Sequence, residues 1–240
     1  MTTLALRVTG LLMLIAGTTV ASEKSGLTGS EFDFGNVPQN AALAHEVWLQ
    51  AGPTDTLRLV DIKTGCGCLT SPWEAARIAP GDSLRLVFYW QTRGFEGQRD
   101  LSAFIYAEPE PYPLELRLTG KVVTETESQA SLEVTPQRVD FGDGRENKTE
   151  TMVTIRNSST VDLAMTVVAV GPGIKMELPE KIGAGESIGV KVARTEDTGP
   201  LLETSFTIEA TGNPEPKQRV SVPVTYGDFS FRPKFTTTRR

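Results

Sequence analysis

The chain has 240 residues, with 24 lysines and arginines against 30 aspartates and glutamates and a net charge of −6. The charges alternate rather than forming blocks, which excludes the clustered positive charge a nucleic-acid partner needs. One histidine and two cysteines leave little for a Ser-His-Asp or Cys-His mechanism, so no enzymatic activity is expected.

The chain opens on "MTTLALRVTGLLMLIAGTTVAS". Arg7 is followed by an apolar run from Leu11 to Ala16, then by small residues before Ser22. That layout is a secretory signal peptide over residues 1–21. The apolar run falls short of the ~20 residues that cross a bilayer. The expectation is a periplasmic or secreted protein that is not integral to the membrane unless the signal stays uncleaved.

The rest repeats itself. "FDFGNVPQN" at 32–40 returns as "VDFGDGREN" at 139–147, and "VWLQAG" at 47–52 returns as "VTIRNS" at 153–158. "RIAPGDSLRLVF" at 77–88 returns as "KIGAGESIGVKV" at 181–192. Three blocks in one order at one period indicate duplication. Within each unit, segments such as "EVWLQ", "SLRLVFYW" and "RVSVPVTY" alternate apolar and polar residues, which buries one face of a strand. Six or seven such strands, separated by Gly, Pro, Asn and Asp, predict an immunoglobulin-like sandwich in each unit. The expected organisation is all-β. One domain spans 31–123, a linker 124–131, a second domain 132–226 and a flexible tail 227–240.

Both cysteines fall in the first unit, in "VDIKTGCGCLTSPW". The apolar alternation stops at Ile62, so Lys63-Thr64-Gly65 is expected to break the strand and leave Cys66 and Cys68 in a loop. Fully extended, their Cα atoms would lie ~6.6 Å apart, at the edge of disulfide range. Gly65 and Gly67 permit positive φ and a tighter turn. Four readings stay open: a local Cys66–Cys68 disulfide, a soft-metal site for Cu(I) on the two thiolates, an intermolecular link, and an inert pair. Zinc would need about four ligands; His45, the one histidine, is read as structural. The second unit has "VAVGPGIKMELP" at this place, so the loop can be built without sulfur. Trp73 follows the loop and is expected to cover it, whereas Trp48 is expected in the core. "DFG" in both units lacks every other kinase feature; Phe34 and Phe141 are read as core residues, with Gly35 and Gly142 turning the chain.

The series "FDFGNV", "CGCLTSPW", "IAPGDS", "RGFEG" and "LRLTGKV" resembles a bacterial exported domain family of unknown function. Its hallmark is a Cys-Gly-Cys-Thr motif followed by a tryptophan and a Pro-Gly turn, and it is related to hydin-type and major sperm protein domains. The resemblance covers residues 31–123, and Leu69 stands where the motif has threonine. It implies an immunoglobulin-like fold and export, and it points away from reading "NKT" at 147 and "NSS" at 157 as glycosylation sites. Together these features suggest a binding or scaffolding module with a protein partner in the cell envelope. The alternative is a copper-binding or thiol-redox module.

Overall fold

A computed structural model describes residues 24–124, 131–146, 148–196, 198–214 and 216–229. The expected signal peptide, most of the expected linker and most of the expected tail lie outside the described residues. The regular elements are all strands. The first half contains β1 (Gly26–Thr28), β2 (Glu31–Pro38), β3 (Ala42–Gln50), β4 (Leu57–Thr64), β5 (Leu69–Thr70), β6 (Ala76–Ile78), β7 (Ser83–Gln91), β8 (Gly97–Glu108) and β9 (Leu114–Val123). The second contains β10 (Leu132–Thr135), β11 (Val139–Asp140), β12 (Glu150–Asn157), β13 (Leu163–Val170), β14 (Ile174–Met176), β15 (Lys181–Ile182), β16 (Ser187–Arg194), β17 (Leu202–Thr211) and β18 (Gln218–Tyr226).

The two sets correspond strand for strand. One sheet runs β1-β3-β7-β5 and its counterpart β10-β12-β16-β14. The facing sheets run β6-β4-β8-β9-β2 and β15-β13-β17-β18, with β11 on β18. Two separate apolar cores result, one around Phe34, Phe88 and Trp90, the other around Phe141, Phe206 and Ile208. Each lies between two antiparallel-rich sheets, the arrangement of an immunoglobulin-like sandwich. Phe34 and Phe141 are both fully buried.

The strand β2 joins the halves. It pairs in parallel with β9 from Glu31 to Pro38, with a register shift between Asp33 and Asn36, and on its other side meets β18 in parallel at Asn36 opposite Val220. The facing sheets of both halves thus become one ten-stranded sheet. Ser221 donates its hydroxyl to the Phe34 carbonyl at 2.7 Å and meets Thr207 Oγ1 at 2.7 Å. Ser205 Oγ accepts from the Ala44 N–H at 3.0 Å and donates to the Ala44 carbonyl at 3.2 Å. These hydroxyls are buried, and each is satisfied by the other half or by its neighbour, as buried polar groups must be. The small residues Ala44, Ser205 and Ser221 stand at these contacts and let the two surfaces come this close.

Two expectations change, and one strand was not foreseen. Trp48 is not core: it lies 42% exposed, while Val47 and Leu49 on either side of it are fully buried. Period-two alternation places position 48 outside, and the bulk of the indole does not override it. Strand β4 does not break at Lys63; it continues to Thr64, because β8 pairs with it through Thr64 opposite Ala103. Strand β8 was hidden in the sequence. It buries the small Ala103 and Ala107 beside Ile105, while Phe104 and Tyr106 are only half-buried on its other face, which blurs the apolar alternation.

Candidate functional site

The Cys66–Cys68 turn lies where the second half has a sulfur-free turn with the same entry bond and the same strand pairing after it. In the first half the Gly65 N–H donates to the Ser102 carbonyl at 2.8 Å; in the second the Gly171 N–H donates to the Ser205 carbonyl at 2.8 Å. After the turn, β5 pairs with β7 as β14 pairs with β16. The second turn is one residue shorter: the Gly173 carbonyl accepts from the Thr195 N–H as the Cys68 carbonyl accepts from the Gln91 N–H, and Ile174 pairs with Arg194 as Leu69 pairs with Trp90. Gly173 has φ +81°, and a proline followed by such a glycine is the signature of a type II turn.

The first half makes its turn differently. Neither Gly65 nor Gly67 has positive φ, contrary to the use expected of them. The glycine at 65 is explained by close approach: an added Cβ would lie 3.0 Å from Ser102 Oγ and 3.4 Å from its carbonyl. An added Cβ at Gly67 would meet nothing within 4 Å, so the apex is open. The Cys66 and Cys68 Cα atoms are 5.2 Å apart and their sulfurs are joined. Thr64 Oγ1 donates to the Cys66 carbonyl at 3.0 Å, and the Gln91 N–H donates to the Cys68 carbonyl at 2.8 Å. Closing so short a loop removes little disorder from the unfolded chain, roughly 1.5 kcal/mol by loop entropy, against nearly 5 for a loop of about 100 residues.

Cys66, Cys68, Trp73 and Ile62 are all half-buried and pack against the first core. His45 takes no part. It stacks on Phe32 at 4.3 Å, its Nε2 lies 2.8 Å from the Gly29 carbonyl, and burial holds its pKa below the usual 6.5 despite that bond. Among the described residues no group of three or more His, Cys, Asp or Glu is arranged to hold a metal ion.

A second feature adjoins the turn and was not anticipated at this position. On its outer side β4 pairs with β6 only from Leu57 to Leu59. From Val60 to Thr64 it has no further strand partner among the described residues. The bond from Gly65 to Ser102 sets the phase: Lys63 and Asp61 turn their backbone groups to β8, and Ile62 and Thr64 turn theirs outward. Val60, at a bulge between Leu59 and Asp61, is 39% exposed. The result is a short open edge, with an exposed apolar side chain, that ends at the disulfide turn.

Solved structures with a similar chain path have low identity. A protein of unknown function from Porphyromonas gingivalis W83 is 12% identical, with a TM-score of 0.35, over 84% of this chain and 99% of that one. The ASH/PapD-like domain 7 of human CEP192 is 11% identical, with a TM-score of 0.36, over 49% of this chain and 99% of that one. The periplasmic chaperone SfaE is 8% identical, with a TM-score of 0.32, over 82% and 98%. No curated protein matches the chain. Residues 26–122, which hold the whole first core and the Cys66–Cys68 turn, match the family described as protein of unknown function, DUF1573.

Proposed function

We propose that the protein is a non-catalytic binding module that takes an extended segment of a partner protein onto the open edge of β4. The observation that carries this reading is the outward-facing backbone of Ile62 and Thr64, unpaired by any strand among the described residues. An unpaired edge supplies main-chain hydrogen bonds to an incoming strand, and neighbouring side chains select its sequence. Val60 and Ile62 supply the apolar contacts here. The signal-like pattern of residues 1–21 and the resemblance to exported domains related to hydin and major sperm protein support a partner in the cell envelope.

The test separates the backbone donor from the side chain. Ile62→Ala and Ile62→Pro both truncate the side chain, but only proline removes the outward N–H. Peptides of about ten residues, selected from a display library on the wild-type protein, should bind the alanine variant and lose about ten-fold or more in affinity on the proline variant, the worth of about one hydrogen bond in a strand ladder. Equal binding to both variants refutes the edge reading.

A second reading assigns Cu(I) to Cys66 and Cys68. It requires the reduced pair, since the metal binds thiolates. Titration of the reduced protein with Cu(I) against a competing chelator tests it. Equal binding by the Cys66→Ser, Cys68→Ser double variant ends it.

A further inference from the structure

We propose that Cys66–Cys68 is a thiol–disulfide exchange site whose substrate is a cysteine-bearing segment of another protein. The chain contains two cysteines, and both are in this pair, so any exchange partner is a different molecule. The backbone of the turn does not depend on the sulfurs. Its anchors are the Gly65, Gln91 and Thr64 bonds to Ser102, Cys68 and Cys66, all made by main-chain atoms or a hydroxyl. The second half reaches the same strand pairing through a sulfur-free turn one residue shorter, Pro172-Gly173. Opening the disulfide therefore changes the chemistry of the turn without dismantling it. Access is provided at the apex, where Gly67 is exposed with nothing within 4 Å of an added Cβ, and both cysteines are only half-covered. A disulfide that the fold can lose and that lies within reach of solvent is suited to exchange rather than to stapling.

A substrate thiolate attacks one sulfur of the pair; a substrate–protein S–S bond forms as the Cys66–Cys68 bond breaks, and the displaced sulfur takes up a proton. A second substrate thiolate attacks the mixed disulfide, forming the substrate disulfide and releasing the second thiol. The substrate loses two electrons and two protons, and Cys66 and Cys68 gain them. Reoxidation is the reverse exchange with the disulfide of an oxidant protein.

The probe is glutathione, which makes no strand contacts, so the result is independent of the edge reading above. The full-length protein is equilibrated with mixtures of reduced and oxidised glutathione, quenched with acid, alkylated and weighed. The expected result is reversible titration of the pair in the folded protein, with its β-type circular dichroism unchanged at both ends. Exchange should run within about ten-fold of the rate in urea, as for an accessible disulfide. Cys66→Ser and Cys68→Ser should each accumulate a glutathione mixed disulfide on the remaining cysteine while folded. Exchange slowed more than ten-fold by folding, loss of the β signal on reduction, or single-cysteine variants that stay unmodified would each overturn the proposal.

Discussion

Gly35→Ala should separate the two halves, and Gly142→Ala supplies the control. Both glycines follow an aspartate whose side chain accepts their N–H, Asp33 at 2.9 Å and Asp140 at 2.8 Å. Both have positive φ, +64° and +90°, so alanine at either position costs about 1–2 kcal/mol of left-handed strain. At Gly142 the added Cβ meets nothing within 4 Å, and the cost ends there. At Gly35 it would lie 2.2 Å from the Arg219 carbonyl oxygen and 2.3 Å from the Arg219 Cβ. Neither can move unless β2 and β18 part. Parting removes the bond from Ser221 to the buried Phe34 carbonyl and the bond from Arg219 Nη1 to the Asp33 carbonyl. An unsatisfied buried carbonyl costs about 1–3 kcal/mol, so Gly35→Ala should exceed its control by roughly 2–3 kcal/mol. For a protein of this size that is a further drop of about 4–12 °C in Tm. Thermal and urea unfolding of the two full-length variants give the answer. A Gly35→Ala effect within about 0.5 kcal/mol of the control would refute the claim that β2 holds the halves together.

Other consequences concern single buried groups. His45 is held neutral by burial, so its contribution to stability is complete above about pH 6.5 and is lost as pH falls toward its lowered native pKa; His45→Phe should flatten that part of the stability–pH curve, and an unchanged slope would contradict it. Asn157 is fully buried, donates to the Val161 and Gly183 carbonyls at 2.7 and 3.0 Å, and accepts from the Ser159 N–H at 2.9 Å. Asn157→Ala should cost about 2–4 kcal/mol in urea unfolding, and this same burial accounts structurally for the asparagine of "NSS". The Cys66→Ser, Cys68→Ser double variant should lose no more than about 1.5 kcal/mol; a loss of 4 or more would mean that the pair staples the first half.

The repeat was the most legible feature. The matched sequence blocks fall on β2 and β11, on β3 and β12, and on β6–β7 and β15–β16, because alternation and turn residues act locally. The turn was legible as a sulfur site but not in its geometry: Gly65 is needed for its approach to Ser102, a residue 37 positions away in sequence. The junction between the halves was not legible. Ala44, Ser205 and Ser221 carry no signal singly and gain meaning only when β2 is laid beside β18. The open edge of β4 was hidden for a similar reason, since it depends on how short β6 is.

The edge reading is tested most directly by amide hydrogen exchange with a selected peptide bound. An alternating response is expected: the Ile62 and Thr64 amides slow on binding, while Lys63, already bonded toward β8, does not change. Protection that appears elsewhere in the chain, or falls on consecutive residues of β4, would contradict it.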